Sequence, residues 1–174
     1  MDEISPVSDP IVKAPGECTP GELEAFLQMA LRSGEVGPNG LAGRIADARV
    51  LAFTYAGTTL AAIGAVKNPD RNYLATQFKK ANADESAADY PVELGWVHVD
   101  KKYQGQKLSR KVVDALLPFF GTINCYATSK VSRDRMHATL RRFGFIQSGT
   151  AFPSRLANEN LLLFLRTGQP DGDR

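Results

Sequence analysis

An apolar strand ending at Val99, a short basic loop around Gly105 and an amphipathic helix from Leu108 follow one another between Pro91 and Pro118, and a second apolar stretch, 122–127, comes next. A strand–helix–strand run of this length closes as a right-handed crossover between two parallel strands. The same run offers a place for an anion. The first N–H groups of a helix have no partner inside it, and the helix dipole adds roughly half a positive charge there. Lys101, Lys102, Lys107, Arg110 and Lys111 crowd this segment.

The rest of the chain supplies the elements around that unit. Residues 1–18 hold three prolines and no apolar period, which predicts a loose arm. Thr19-Pro20-Gly21-Glu22 starts a helix, with Thr as N-cap, Pro at the first helical position and Glu closing a capping box. Leu23, Phe26, Leu27, Ala30 and Leu31 form its apolar face. A short helix over Leu41–Ala46 follows. From Val50 to Val66 the chain carries no charge for 17 residues, the low edge of a membrane span. Ala56-Gly57-Thr58-Thr59 interrupts it with turn residues between Val-, Phe- and Tyr-rich flanks, so a hairpin is the better reading. A helix over Asn72–Asn82, a strand over 93–99, a helix over 107–119, a strand over 122–127, a helix over 133–142 and strands near 145–151 and 160–166 complete the order.

Composition bounds the function classes. At 174 residues the chain suits one domain with a real core. A net charge of +2 is too small for general nucleic-acid or membrane binding. Two cysteines, Cys18 and Cys125, give neither a disulfide framework nor a cysteine-rich metal site, and no metal is expected. Met-Asp-Glu-Ile-Ser-Pro lacks the basic and apolar regions of a secretory signal, so a cytoplasmic location is the default.

Gln104-Gly105-Gln106-Lys107-Leu108-Ser109 resembles the cofactor motif of the GCN5-related N-acetyltransferase (GNAT) superfamily, Gln/Arg-x-x-Gly-x-Gly/Ala after a strand. Lys107 and Ser109 stand where the motif has small residues. Glu93-Leu-Gly-Trp-Val-His-Val before the loop and Ala138-Thr-Leu-Arg-Arg-Phe-Gly-Phe145 after it extend the likeness to roughly Arg49–Arg166. The resemblance implies an α/β fold of α+β layout: a mixed, mainly antiparallel twisted sheet with helices on both faces, and splayed parallel strands near 93–99 and 122–127. It places one domain over 19–168, with a flexible tail at 169–174. It implies acetyl-CoA as co-substrate, with the pantetheine arm paired to backbone at Val97, His98 and Val99. The pyrophosphate would lie on Gln104, Gly105, Gln106, Lys107, Leu108, Ser109 and Arg110.

Acetyl transfer to an amine needs a proton acceptor. Glu93 is the first candidate, because it opens the strand whose far end meets the loop. Six residues of strand span about 20 Å, comparable to an extended pantetheine arm, and several GNAT enzymes carry a catalytic Glu there. A solvated carboxylate, or one paired with Lys79 or Lys80, is the plainer alternative. His98 is the second candidate, but strict alternation sets it with Trp96 on the face opposite Glu93 unless a bulge resets the parity. Cys125 with His98 is a further, nucleophilic option. The Tyr that the family often supplies as general acid on the late helix is Leu140 here. Arg71 and Tyr73, in the long connection Lys67–Tyr90, are candidate acceptor contacts; a helix covering the sheet is their plainer role. The amine acceptor is a small molecule, a peptide or a nucleic acid, and a homodimer stays open. Two other functions stay open on the same fold: an acyl-CoA-binding regulatory module, and a nucleic-acid-modifying enzyme.

Overall fold

A computed structural model describes residues 5–156 and 158–168; the expected tail at 169–174 lies outside them. The strands are β1 (Ile11–Lys13), β2 (Val50–Ala56), β3 (Thr59–Lys67), β4 (Val92–Val99), β5 (Cys125–Lys130), β6 (Ile146–Pro153) and β7 (Asn160–Arg166). The helices are α1 (Pro20–Arg32), α2 (Leu41–Ala46), α3 (Arg71–Lys80), α4 (Leu108–Leu116) and α5 (Asp134–Arg142). The strands follow the order β1-β2-β3-β4-β5-β7-β6 in one sheet. Antiparallel pairing joins β1 to β2, β2 to β3, β5 to β7 and β6 to β7, and β4 runs parallel to β5. This is the mixed, mainly antiparallel sheet with one parallel crossover that the sequence predicts. Among the described residues no helix is long and apolar enough to cross a membrane; the uncharged run 50–66 forms the hairpin β2–β3, turning at Gly57 with φ +61°.

Two compact units share the chain. The first joins the residues up to Val66 with Trp96–Leu117; the second joins Lys67–Gly95 with the residues from Pro118 onward. β4 contributes its first half to the second unit and its last half to the first.

In the first unit α1 begins with the expected capping box: Thr19 Oγ1 accepts from Glu22 N at 3.1 Å, and Glu22 Oε1 accepts from Thr19 N at 2.9 Å. Phe26 and Met29 of α1 and Leu41 and Ile45 of α2 pack with Leu51, Phe53, Ile63 and Ala65 on one face of the strands. The opposite face meets α4 at Gly64, which sits across from Ala52. A Cβ at Gly64 would collide with Val112 Cγ1, with Leu116 Cδ1 3.3 Å and Val97 Cγ2 3.4 Å away. Helices thus cover both faces of this unit's strands.

The second unit packs α3 against its own strands. Leu74, Phe78, Tyr90, Tyr126, Phe152 and Leu163 form the core, with the Phe78 ring 5.7 Å from those of Tyr90 and Tyr126. Strand β6 is interrupted between Ser148 and Phe152, where Gly149 takes φ +68°. Thr150 N there donates to Ala81 O at 2.7 Å, and Ser148 Oγ to Glu85 Oε2 at 2.6 Å. The segment after α3 therefore takes up hydrogen-bonding groups of β6, at the end of the strand order.

Three expectations are corrected. The arm 1–18 is not wholly loose: Ile11–Lys13 pairs with Leu51–Phe53, and Pro15–Glu17 forms a 3₁₀ turn. Ile11, Val12 and the Lys13–Glu22 ion pair at 2.8 Å supply the attachment that prolines elsewhere in the arm conceal. The second parallel strand starts at Cys125 rather than 122, because Gly121–Asn124 form the turn that precedes it. Helix 107–119 ends as an α-helix at Leu116 and tightens to a 3₁₀ turn over Leu117–Phe119, where Pro118 lacks the N–H an α-turn needs.

Candidate active site

The basic loop after β4 belongs to the first unit. Asp100 Oδ1 accepts from Lys102 N at 3.0 Å and starts a 3₁₀ turn over Lys101–Tyr103, whose Tyr103 is buried. Gln104 is extended and Gly105 has φ +85° with open space where a Cβ would stand. Lys107 is the N-cap of α4 at φ +59°, ψ +30°. It stands where the resembling motif has Gly, in the left-handed region that glycine enters at least cost. No side chain caps α4, so the amides of its first turn keep their donors for something else. Gln104, Gly105, Gln106 and Lys107 are exposed, Leu108 is buried in the core, and Ser109 and Arg110 are half-buried. Together with exposed Lys101, Lys102 and Lys111, this donor set fits a polyanion such as a pyrophosphate.

The last half of β4 belongs to the same unit and carries Val97, His98 and Val99, all half-buried. Trp96 begins it at φ +51°. That is an unusual angle for a bulky residue, and it breaks the regular pleat. Alternation therefore assigns faces separately before and after Trp96. The Trp96 ring packs edge-on against Phe26 at 5.9 Å, while Val97 faces α4 beside Gly64.

The second unit holds Glu93, and the plainest expectation for it is corrected. Glu93 is not a solvated strand end, nor paired with Lys79 or Lys80, which are exposed at the end of α3. It is buried, and its ionic partner is Lys67, with Nζ 3.2 Å from Oε2. The Tyr126 hydroxyl donates to the same Oε2 at 3.0 Å. The parallel register, Glu93 opposite Tyr126, creates this contact. Burial, and then the nearby Glu93 carboxylate and Tyr73 phenol, hold Tyr126 far above the usual phenol range. It stays protonated and serves as a donor. Neither Lys67 nor Tyr126 stands out in the sequence. The only available signal was that Lys67 is the first charge after the uncharged run.

Cys125 is a core residue rather than a nucleophile. Burial pushes its thiol up to about 12, which disfavours the thiolate, and the thiolate is the reactive form. A thiol reagent at pH 8 is expected to label half-exposed Cys18 in the native protein and to reach Cys125 only after denaturant is added. Rapid labelling of both would reveal an accessible Cys125.

Arg71 is exposed in the first turn of α3, which Asp70 caps by accepting from Asn72 N at 2.9 Å and Tyr73 N at 3.1 Å. Tyr73 is partly exposed and close enough to Tyr126 to act on its proton affinity. In α5, Leu140 is fully buried and His137 is committed, its Nε2 2.9 Å from Lys130 O and its ring 5.2 Å from Phe164. That helix runs into Gly144 at φ +88° and buried Phe145.

No family model matches the sequence, and no curated protein matches it. Solved structures do match the fold. ElaA of Escherichia coli aligns with a TM-score of 0.69 over 92% of this chain and 99% of its own, at 15% identity. An acyl-CoA N-acyltransferase of Pseudomonas aeruginosa aligns at 0.66 over 91% and 99%, also at 15% identity. Arabidopsis thaliana NAA60, solved with a bisubstrate analogue, aligns at 0.66 over 92% and 98%, at 11% identity. The fold is that of the GNAT acetyltransferases.

Proposed function

We propose that the protein is an acyltransferase that moves an acetyl group from acetyl-CoA to an amine by direct attack, with Glu93 as the proton acceptor. The observation that carries this reading is the β4–loop–α4 segment on an acetyltransferase fold, with left-handed Gly105 and Lys107 leading into an uncapped helix among five basic side chains. Amides from Gln104 to Arg110 would hold the pyrophosphate, and backbone groups of Val97, His98 and Val99 would pair with the pantetheine arm. Acetyl-CoA, when bound, supplies an acyl group activated as a thioester.

The chain's own residues supply the proton handling. An amine attacks only when neutral, so an arriving ammonium has to lose a proton. Glu93 is the acidic residue on β4. Tyr126 donates to Oε2 and the Lys67 ammonium pairs with the same oxygen, so Oε1 is the oxygen proposed to take up the proton. Arg71 and Tyr73, on the first turn of α3, are proposed contacts for the acceptor. A thiolate leaves without help from an acid, consistent with buried Leu140 at the position where the family often has a Tyr.

Saturating acetyl-CoA is expected to raise the melting temperature, with free CoA competing. By linkage a ligand at about 100 times its Kd stabilises by about 2.7 kcal/mol. Gly105→Val should reduce the shift, because a β-branched residue resists φ +85°. A thiol-release screen across small amines, peptides and nucleic acids then identifies the acceptor. No melting shift would overturn the reading. A shift without turnover on any acceptor would favour the binding module, which the missing phenol at Leu140 also suits.

A further inference from the structure

Resting on the acetyl-transfer reading, we propose that Lys67 is an acetyl acceptor within the chain itself, a self-modification site served by Glu93. In the proposed reaction an acceptor ammonium gives its proton to Glu93. Lys67 already faces that carboxylate, its Nζ 3.2 Å from Glu93 Oε2, so its own proton passes to Oε2 while an external amine uses Oε1; the two side chains are 17% and 6% exposed. Its stem is seated rather than loose, for it crosses the strand at Gly95. A Cβ there would lie 2.5 Å from Lys67 Cδ and 3.5 Å from Cε and Nζ. The absence of a side chain at Gly95 is what lets the lysine reach the carboxylate. Tyr126 holds the same carboxylate from β5, so acceptor nitrogen and proton acceptor are fixed together.

The step balances without any further reagent. Nζ gives one proton to Glu93, and its lone pair forms a bond to the acyl carbonyl carbon. The carbon–sulfur bond breaks and the second N–H proton ends on sulfur. The products are Nε-acetyl-lysine and the CoA thiol, and Glu93 returns its proton to solvent. Acetylation removes the lysine's charge and with it the ion pair on Glu93. The protein carries its own control in Lys13. That lysine is also ion-paired, to Glu22 at 2.8 Å, but with a carboxylate on α1 that has no part in the proposed site.

The purified protein is incubated with acetyl-CoA, and the added mass of about 42 Da per acetyl group is mapped to individual lysines over time. Lys67 is expected to label at least ten times faster than Lys13 or the exposed Lys101, Lys102 and Lys107. Glu93→Gln should slow labelling at Lys67 by about 10²-fold or more and leave Lys13 unchanged. Lys67→Arg, which keeps the cation, should remove the fast phase. A melting shift with acetyl-CoA but no preferential label on Lys67 overturns this inference alone. Equal labelling of Lys67 in Glu93→Gln also overturns it. No melting shift and no label overturns it together with the acetyl-transfer reading.

Discussion

Glu93→Gln is expected to lower turnover on an amine acceptor by about 10²–10⁴-fold, the usual cost of losing a general base, while the melting shift given by acetyl-CoA stays intact. The substitution is isosteric, and the Gln carbonyl can still accept from Lys67 and Tyr126, so the hydrogen-bond frame described for Oε2 survives the loss of charge. Buried pairs are sensitive to losing one partner, so Lys67→Met/Glu93→Gln serves as the stability control: it removes the stranded ammonium together with the carboxylate. If Glu93→Gln turns over normally and His98→Ala is inactive, the base is His98. If both turn over normally, the amine arrives neutral and catalysis rests on positioning.

Gly149→Ala should be the most damaging single-methyl change in the second unit. At φ +68° an alanine carries a left-handed penalty of about 1–2 kcal/mol. Its Cβ would also fall on the Ala81 carbonyl oxygen and close to Ala83 N, which are backbone atoms that cannot rotate away. Overpacking of this kind typically costs a further 1–3 kcal/mol. A combined loss of about 3 kcal/mol would lower the melting temperature by about 6–12 °C for a chain of this size. Gly105→Ala is the matched comparison, because it has positive φ but nothing within 4 Å of the added methyl, so only the backbone penalty applies. Equal melting temperatures for the two variants would show that the Thr150–Ala81 contact is absent in solution.

The sequence was most readable where local chemistry decides structure. Thr19, Pro20 and Glu22 specify the start of α1 by themselves, and Gly57 between two β-rich runs specifies the hairpin. The turn through Gly105 into the start of α4 was legible for the same reason. What escaped depends on registers between distant segments. Ile11–Lys13 becomes a strand only because Leu51–Phe53 offers it an edge. The partner of Glu93 is Lys67 rather than Lys79 or Lys80, because the α3 lysines face outward while the stem of Lys67 crosses Gly95. Tyr126 meets Glu93 through a parallel register that no periodicity announces. The break in pleat at Trp96 was foreseeable only as an option. Nothing in the residue type favours a left-handed tryptophan, and its packing on Phe26 is part of what holds it there.

The interleaving of the two units has a consequence during synthesis. The hairpin β2–β3 is made by Lys67, yet the first unit's share of β4 and the helix that covers the hairpin's second face, α4, come only with Trp96–Leu116, after Asn68–Gly95 has been made. At about 5–20 residues per second the nascent hairpin waits on the order of several seconds with Gly64 and Ala52 uncovered. The stretch that ends the wait, Trp96–Leu117, also carries the loop Gln104–Lys107. Closure of that unit and the appearance of this basic loop are therefore one event on the ribosome.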